Sequence, residues 1–385
     1  MLQFLGYLRP DGRVGVRNHL LVLSIGGLTV PTARRIGRAI AGAVTIGMPY
    51  GVGVIGKDRL VNRLAIIGLA CHPNVGATLL IGDNPPVMAE IVAELTRRGA
   101  RHAALTLDDC NHDALSLSDR GLREGARLAY DISGLKRAPA PLSAITIGLE
   151  CGRSDPSSGL VANPLLGLIS DRVVDAGGRS IIGETTEWLG AEHLLARRAR
   201  NDKVAQAIRA AVTAREQLAI ASNIDLTGNN PGPTNVAAGL SSIEEKSLGN
   251  IAKSGSRPIE GLIGYAEAPP QPGLWVMDAP AYAPESVTGF VAAGAQIVLF
   301  TTGVGNSYVS ALAPTIKLSA NPVTCAALGQ QLDFNASAAF LGREGLEASA
   351  DRLLARMLDI ASGQATWGEI LKEGDEVVSR FGPAL

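Results

Sequence analysis

Short apolar runs alternate with amphipathic stretches through the first two hundred residues of the chain. The runs are rich in β-branched residues and leucine and are apolar on both faces, as strands covered by helices on both sides require. The stretches between them, such as "PVMAEIVAELTRRGA", have helical periodicity, and this one ends on the glycine expected just past a helix. The predicted strands cover residues 20–25, 43–48, 77–82, 103–107, 144–148 and 180–184.

The alternation of strand and helix predicts βαβ units, and therefore an α/β fold with two doubly wound, mainly parallel-sheet regions. An intervening helical segment is predicted over 200–223, followed by the loop 225–235, which is rich in Gly, Asn and Pro. Helix and strand alternate again after this loop. We therefore divide the chain into an N-terminal region, 1–135, and a C-terminal region, 136–385, which carries the helical segment and the loop near 200–235.

The composition indicates a well-folded protein, and the distribution of charge indicates that its ligand is small. Hydrophobic residues make up 46% of the 385, enough for a large core, and the formal charge is only -1. The 35 basic and 36 acidic residues are spread along the chain, which argues against a nucleic-acid or membrane partner. Four cysteines lie far apart without a CxxC pair, so neither a disulfide framework nor a structural zinc site is indicated. Since no signal-peptide pattern opens the chain and no apolar run is long enough to span a bilayer, we expect a cytoplasmic protein.

The stretch "RPDGRVGVRNH" near the N-terminus combines a turn sequence, Pro-Asp-Gly, with three arginines. Guanidinium groups bind carboxylates through two parallel hydrogen bonds, so the stretch is a candidate anion-binding loop. The alternative is that the arginines are solvated or pair with acidic neighbours. The candidate substrate-binding residues here are Arg9, Asp11, Arg13, Arg17 and Asn18.

The stretches "GLECGRSDPSSG" and "GETTEWLGAEH" each follow a predicted strand and are rich in polar residues. Loops at the carboxyl ends of neighbouring parallel strands meet at one edge of the sheet, so carboxylates, an imidazole and a thiol could share a pocket. Such a pocket suits removal of a proton α to a carboxylate. The alternative is that Ser154 and Asp155 cap a helix starting near Ser158 and that His193 packs on a helix. The candidates are Glu150, Cys151, Ser154, Asp155, Glu184, Glu187, Glu192 and His193.

Three further stretches carry weaker candidates. In "SSIEEKSLGN", Lys246 is either a base or electrostatic clamp in a cleft or part of a solvated helix face. The stretch "FTTGVGN" supplies Thr301, Thr302 and Asn306 to a loop that could hold an anion, but it lacks a nucleotide-binding glycine pattern. The stretch "CHPNVG", 71–76, is interpreted as a turn that ends a helix.

These stretches together resemble one family, the altronate and galactarate dehydratases. The resemblance rests on "GYLRPDGRVGVRNHLLVL", "ACHPNVG", the long stretch beginning "GLECGRSDPSSG", "IEEKSLGNIAKSG", "MDAPAYAPESVTGFVAAGAQIVLFTTGVGN" and "PTIKLSAN", which recur in this order over most of the chain. It implies a hydro-lyase that removes water from a hydroxylated sugar acid to give a 2-keto-3-deoxy acid. A related activity in the family is carbon–sulfur elimination from sulfolactate.

The resemblance also implies roles for the candidates. Arg13 and Arg17 would hold the substrate carboxylate, and the base and acid would come from the two acidic stretches, with Glu150, Asp155, Glu187 and His193 as the catalytic candidates. Lys246, from its own stretch, is the fifth catalytic candidate. The implied cofactor is a divalent metal ion, Fe²⁺, with Cys151 as a ligand. The implied substrate is a small hydroxy acid, and we expect a homo-oligomer. Either a separate small partner subunit completes the enzyme, as in two-subunit relatives, or this protein works without one.

The chain differs from the family pattern at two places. Family members carry His and Cys stretches where this chain has "GMPYGVG", 47–53, and "IGDNPPVM", 81–88, which contain neither residue. Soft thiolate and imidazole ligands suit iron, so these differences bear on the metal and favour, as a further alternative, a paralogue that binds a sugar acid or a partner without catalysis. The stretch "LDDCNHD", 107–113, is either a relocated metal site or a solvated polar loop.

Overall fold

The computed structural model describes residues 2–51, 53–226 and 231–382, so the part of the predicted loop at 227–230 lies outside the described residues. Within them, strands and helices alternate along most of the chain. The strands are β1 (Gln3–Leu8), β2 (Val14–Gly15), β3 (His19–Ser24), β4 (Val44–Gly47), β5 (Val75–Gly82), β6 (His102–Thr106), β7 (Ala138–Pro141), β8 (Thr146–Gly152), β9 (Arg179–Ile182), β10 (Ile259–Ile263), β11 (Gly273–Met277), β12 (Ile297–Thr302), β13 (Thr315–Ser319) and β14 (Phe334–Asn335).

The helices are α1 (Val30–Ala39), α2 (Gly56–Ala70), α3 (Pro85–Arg97), α4 (Ala114–Ser133), α5 (Asn163–Asp175), α6 (Glu192–Arg197), α7 (Asp202–Ala221), α8 (Pro233–Ala237), α9 (Ile243–Ala252), α10 (Ala283–Ala292), α11 (Pro322–Ala327), α12 (Ser337–Phe340), α13 (Leu346–Ala361) and α14 (Trp367–Leu371). None of those in the described part of the chain is both long and apolar enough to cross a membrane. Helix α7 is the helical segment that the sequence predicts over 200–223.

Two parallel sheets form the framework, which confirms the predicted α/β fold. The first has four strands in the order β4-β3-β5-β6, and the second has seven in the order β10-β11-β9-β8-β12-β13-β14. All neighbours in both sheets are parallel. The six strands predicted in the first half of the chain are all present, with ends shifted by a few residues. The predicted boundary between residues 135 and 136 stays a prediction.

A third, antiparallel sheet was not predicted. It has the order β2-β1-β7, and β7 is the proline-containing stretch "APAP" at its edge. Proline cannot donate a ladder hydrogen bond and is confined to such edges, so its presence hides the strand from a pattern analysis. This sheet connects the N-terminus to the segment that leads into the seven-stranded sheet.

The two parallel sheets share one apolar core. A single cluster of buried side chains contains residues from β3 and α2 in the first sheet layer and from α10 and β12 in the second. Helices α2 and α10 cross in direct contact at Gly68, where a Cβ would lie only 2.0 Å from the carbonyl oxygen of Ala292. This close approach requires glycine, because no larger residue fits between the two backbones.

The "CHPNVG" turn also joins the two regions. His72 is buried, its Nδ1 accepts the backbone N–H of Asn74, and its Nε2 lies 3.0 Å from the carbonyl oxygen of Ala295. Burial lowers the pKa of His72 to about 3, so the ring is neutral and Nε2 carries the hydrogen. Asn74 donates to the carbonyl oxygens of Gln296 and Leu312. The structural interpretation of this turn is therefore confirmed.

The C-terminal segment 374–382 returns across the first sheet. The Asp58 carboxylate accepts the backbone N–H groups of Phe381 and Gly382, each at 2.7 Å. Glu376, further back in the segment, is buried and accepts hydrogen bonds from the Ser310 hydroxyl at 2.5 Å and the Ala311 N–H at 3.1 Å. Burial raises the pKa of Glu376 to about 7 in spite of these bonds.

Replacing Glu376 with glutamine should flatten the dependence of stability on pH. The folded protein holds the Glu376 proton up to about pH 7, whereas the unfolded chain releases it near the ordinary value of 4.5, so stability falls as pH rises between these values. The loss is up to about 3 kcal/mol. Urea unfolding at about pH 5 and about pH 8 should show a smaller difference for Glu376→Gln than for the parent.

Glu216→Gln is the matched control, since Glu216 is exposed on α7. Its unfolding free energy should follow the parent at both pH values. Parallel pH profiles for Glu376→Gln and the parent would show that the Glu376 carboxyl is not the group responsible.

Candidate functional site

The order of the seven-stranded sheet places a crevice at the carboxyl ends of β8 and β12. The next strand in the chain, β9, lies on one side of β8, and the later strand β12 lies on the other side. The connections that follow these neighbouring strands therefore run in opposite directions at β8. Ligands of open α/β sheets bind at such a switch point. Cys151 near the end of β8 lies beside Thr301 of β12, and Glu150 lies beside Phe300.

Helix α9 carries the cationic side of the site. Lys246, Asn250 and Lys253 are spaced four and three residues apart, so they lie on one face of the helix. The helix begins at Ser242, whose hydroxyl accepts the Glu245 N–H at 3.2 Å. Its polar face points toward the ends of β8 and β9 rather than to solvent, since Asn250 and Lys253 are buried.

Lys253 lies at the centre of a group of buried acidic and thiol side chains. Its Nζ is 3.7 Å from Glu150 Oε1, 3.5 Å from Glu184 Oε2 and 3.5 Å from Cys151 Sγ. The Lys253 and Glu150 side chains have no exposed surface. Burial alone would lower the pKa of Lys253, but these neighbours and Glu187 raise it above the ordinary value, so the amine stays protonated.

The loop after β9 supplies the other two carboxyl groups. Glu184 has a positive φ of 64°, a left-handed conformation that is strained for a residue with a side chain. Thr185 fixes the loop by donating its N–H to the Ala279 carbonyl oxygen and its hydroxyl to Asp278. One turn further, Glu187 pairs with Lys246 at 2.5 Å. We use the name acid–lysine cluster for Glu150, Cys151, Glu184, Glu187, Lys246, Asn250 and Lys253.

Two carboxyl groups of the acid–lysine cluster are driven to opposite protonation states. Burial and then the charges of Glu150 and Glu187 raise the pKa of Glu184 well above its ordinary value, so Glu184 holds its proton at neutral pH. Burial alone would raise the pKa of Glu187 as well, but Lys246 and Lys253 lower it below its ordinary value. A protonated Glu184 can donate to the buried Glu150 Oε2, for which the described residues offer no other hydrogen-bond partner.

These states also pair opposite charges in the acid–lysine cluster. With Glu184 neutral, the ionised Glu187 is paired with the Lys246 ammonium, so this buried carboxylate does not lack a counter-charge. Burial raises the pKa of Cys151 to about 11, so its thiol is also neutral. The thiol donates to Asn250 Oδ1 at 3.3 Å.

Three members of the acid–lysine cluster could hold a metal ion by residue type and spacing. One ligand atom each from Glu150, Cys151 and Glu184 lies within 4.8 Å of the others. The Lys253 ammonium, however, is within 3.7 Å of all three side chains. A divalent ion would therefore compete with this ammonium for the same space, and it would need the Cys151 proton to leave. The expected Fe²⁺ stays a prediction.

A cleft of about 290 Å³ opens beside the acid–lysine cluster, and Lys246 belongs to both. The side chain of Lys246 is 13% exposed, whereas that of its partner Glu187 is 4% exposed. Lys246 thus separates the cleft from the buried carboxyl groups. The cleft is lined by Ser154, Asp155, Pro156, Gly159, Leu160, Asn163, Leu240, Glu245, Lys246, Leu248 and Gly249.

The remaining polar candidates near the cleft have structural partners. Asp155 accepts the Ser158 N–H at 3.0 Å and the Asn321 amide at 2.7 Å, so it caps the following helical turn as the alternative interpretation states. The Ser154 carbonyl oxygen accepts from the Asn235 amide. The hydroxyl groups of Thr301 and Thr302 and the amide of Asn306 bond to Asn163, the Gly305 N–H and the Tyr308 N–H respectively. The substrate contacts expected of these residues stay predictions.

The arginines of the N-terminal stretch do not lie in this cleft, and protein groups occupy their guanidinium groups. Arg9 donates to the carbonyl oxygens of Pro73 and Arg17 and to the side chain of Asn18. Arg13 pairs with Asp11 and donates to the Cys71 carbonyl oxygen. Arg17 pairs with Glu369 at 2.6 Å.

The predicted anion-binding loop stays a prediction, and Arg9, Asp11 and Arg13 line a separate cleft of about 330 Å³. The three arginines tie the N-terminal hairpin to the turn at 71–76 and to α14, which is the alternative that the sequence analysis left open. Asn18 has the same role, because its amide donates to the Ile132 carbonyl oxygen. Arg9, Asp11, Arg13, Arg17 and Asn18 therefore do not belong to the cleft beside the acid–lysine cluster, and their substrate contacts stay predictions.

Two other expectations concern histidines and acidic residues outside the acid–lysine cluster. His193, on α6, is half-buried and makes no hydrogen bond or ion pair with the cluster within the described residues. In the stretch 107–113, Asp113 caps α4 and Asp109 accepts from Thr106, while most of the other side chains are exposed. These contacts favour the polar-loop interpretation of that stretch.

The sequence analysis missed Lys253 and Asn250 as candidates. Both lie on one helical face with Lys246, and this spacing of polar residues in "EEKSLGNIAK" could have revealed them. Only the tertiary structure shows that this face is buried.

Two family models match successive parts of the chain. Residues 142–384 match the C-terminal domain of D-galactarate/altronate dehydratase, and residues 6–129 match the second domain of D-galactarate dehydratase/altronate hydrolase. Each match contains one of the two parallel sheets.

Curated relatives agree with these models. The chain is 34% identical over 386 aligned positions, 98% of its length and 97% of the relative's, to a (2R)-sulfolactate sulfo-lyase subunit beta from Chromohalobacter salexigens. It is 30% identical to altronate dehydratases from Escherichia coli and Bacillus subtilis, over 94% of its own length and 74% of theirs. These names are all those of lyases. The chain therefore belongs to the D-galactarate/altronate dehydratase family.

Proposed function

We propose that the protein is a lyase that eliminates water from a small hydroxylated sugar acid to give a 2-keto-3-deoxy acid. The observation that carries this proposal is the pair Glu184 and Glu187, one protonated and one ionised, in the same buried cluster. Carboxyl groups whose pKa values are driven apart serve as acid and base in one reaction. The two lysines supply positive charge where an enolate would form.

In this proposal Lys246 binds the substrate carboxylate from the cleft. Because Lys246 now pairs with Glu187, binding would draw the ammonium toward the substrate and leave Glu187 available as the base. Glu187 takes the proton from C2, the electron pair forms a C2–C3 double bond, and the bond from C3 to oxygen breaks. Glu184 gives its proton to the departing hydroxyl, which leaves as water, and the enol product tautomerises to the 2-keto acid.

Sulfite elimination is the second candidate, favoured by the relative from Chromohalobacter salexigens, which matches over nearly its whole length. The same C2 proton would be removed, and sulfite would leave from C3 with the electron pair of the carbon–sulfur bond. Hydroxide is a poor leaving group and needs the proton of Glu184, whereas sulfite does not. A protonated acid in the cluster therefore supports dehydration.

A binding protein without catalysis is the third interpretation. Its support in the sequence was the loss of Cys and His at 47–53 and 81–88. Both stretches lie at the first sheet, and neither contributes to the acid–lysine cluster or to the cleft beside it. This position leaves the proposed base and acid intact.

Replacing either proposed catalytic carboxyl group should abolish turnover without unfolding the protein. We expect Glu187→Gln to lower kcat at least about 100-fold through loss of the base. Glu184→Gln should have a similar effect on dehydration and a smaller effect on sulfite release. The measurement is 2-keto acid and sulfite formation from altronate, galactarate and (2R)-sulfolactate, with and without Fe²⁺.

Glu244→Gln is the control for these variants, because Glu244 is on α9 but exposed. It should retain the parent rate. Parent rates for a folded Glu187→Gln variant would overturn the base assignment, and sulfite as the only product would move the second candidate to first place.

Cobalt binding offers a test of the metal question that does not depend on activity. Because Cys151 keeps its proton and Lys253 lies among the three possible ligands, we expect Co²⁺ added at neutral pH to give no thiolate-to-cobalt absorption. A band that appears in the parent and disappears in Cys151→Ser would show instead that the ion displaces the Lys253 ammonium.

We also propose that a small partner subunit covers the mouth of the cleft, as the name of the first relative, subunit beta, supports. Leu160 and Leu248 line this mouth and are 69% and 51% exposed, so together they leave an apolar surface there. Changing both to glutamate should lower the mass measured by light scattering after co-expression with the small subunit. Leu115→Glu, at a leucine 70% exposed on α4, should not, and an unchanged mass for the double variant would contradict the proposal.

A further inference from the structure

The first parallel sheet has a switch point of its own. In its order, β4-β3-β5-β6, the next strand in the chain, β4, lies on one side of β3, and the following strand, β5, lies on the other side. The carboxyl ends of β3 and β5 therefore form a second position at which an α/β sheet binds ligands. A cleft of about 420 Å³ opens there, within the size range of small-molecule sites.

The cleft is lined by polar side chains from α2, from the end of β5 and from α3. It is bounded by Ile25, Gly26, Tyr50, Gly51, Val54, Arg59, Asn62, Arg63, Ile66, Asp83, Asn84, Pro86, Val87, Glu90 and Ile91. Arg59, Asn62 and Arg63 come from α2, and Arg59 and Arg63 lie one helical turn apart on the same face. Asp83 follows β5, and Glu90 lies on α3.

None of these five side chains has a hydrogen bond or an ion pair within the described residues. Their neighbours differ in this respect, since the Asn84 side chain caps α3 by accepting the Val87 N–H and the Tyr50 hydroxyl donates to the Val378 carbonyl oxygen. Arg59, Arg63 and Glu90 are exposed and Asn62 and Asp83 are half-buried, so all five can reach a ligand in the cleft. Five unpaired polar groups around one cleft are the pattern of a binding site.

The backbone at the end of β3 leaves room for one of these groups. A Cβ on Gly26 would lie 2.4 Å from Asp83 Oδ1, so the Asp83 carboxylate lies directly against the turn after β3. The same turn continues with Gly27, where a Cβ would lie 2.8 Å from the Pro49 carbonyl oxygen. The turn is thus shaped to place a carboxylate at the switch point.

We propose that this cleft is a second small-molecule site, which binds a carboxylate whose other end carries hydrogen-bond donors. Arg59 and Arg63 would bind the ligand carboxylate, because two guanidinium groups one turn apart offer parallel donors. Asp83 and Glu90, which only accept when ionised, would bind hydroxyl or ammonium groups at the other end. Polyhydroxy acids and amino acids share this chemistry. The inference is independent of the proposed elimination, because the cleft shares no residue with the acid–lysine cluster.

The test measures binding by calorimetry to the full chain carrying Lys246→Met, which removes the proposed carboxylate contact of the other cleft. The probes are D-gluconate for polyhydroxy acids, L-serine for amino acids and acetate for a carboxylate without further donors. We expect gluconate or serine to bind at least about tenfold more tightly than acetate, since acetate leaves Asp83 and Glu90 unpaired. Binding of gluconate would indicate a polyhydroxy acid as the ligand, and binding of serine would indicate an amino acid.

Variants then locate the binding. The double variant Arg59→Gln with Arg63→Gln should bind the probe with an affinity at least about tenfold lower, as expected for loss of a charge-assisted contact. The matched control is Arg34→Gln with Arg38→Gln, at two exposed arginines with the same spacing on α1. Asp83→Asn should lower the affinity for gluconate or serine and leave the affinity for acetate unchanged.

Two results would overturn the proposal. One is the absence of binding by gluconate and by serine, and the other is binding that the Arg59 and Arg63 double variant retains while its unfolding curve matches the parent. Neither result affects the elimination proposal, which is measured by product formation in the chain with Lys246 intact.

Discussion

The Lys253 ammonium is the constraint on which the candidate site depends. A lysine with no exposed surface is unfavourable unless its ammonium group has charged or hydrogen-bonding partners, and here carboxyl oxygens of Glu150 and Glu184 and the sulfur of Cys151 all lie within 3.7 Å. This requirement fixes α9 against the ends of β8 and β9. It also forces three carboxyl groups together, and because they cannot all ionise, Glu184 holds a proton while Glu187 pairs with Lys246. The acid–base pair follows from the electrostatics of one buried cation.

The two parallel sheets are built alike and share one apolar core. Each has a switch point with a cleft at the carboxyl ends of its central strands, and the contact of Gly68 with Ala292 and the buried His72 and Asn74 hold the sheets in one core. The stretches 47–53 and 81–88, in which the chain departs from the family pattern, both border the cleft of the first sheet. The departures therefore change that cleft and leave the acid–lysine cluster as it is.

The arginines of the N-terminal stretch illustrate where sequence interpretation is limited. Three guanidinium groups beside a Pro-Asp-Gly turn fit an anion site as well as they fit a scaffold, because both uses need the same donors. In the structure these guanidinium groups donate hydrogen bonds to backbone carbonyl oxygens and to Glu369, which is more than three hundred residues away in the sequence. The antiparallel sheet was missed for a similar reason, since the pairing of β1 with β7 joins segments with no shared local pattern.

The sequence by itself determined the α/β class, the six strands of the first half and the long helix before the loop, because local periodicity and glycine positions dictate these elements. It also determined that Glu150, Cys151 and Glu187 follow parallel strands, and so share one sheet edge. Only the tertiary structure decided that α9 turns Asn250 and Lys253 inward, that Asp155 caps a helix and that Arg59 and Arg63 lie unpaired over a cleft. Burial and charge pairing between distant segments set these outcomes, and neither is encoded in the spacing of residues along the chain.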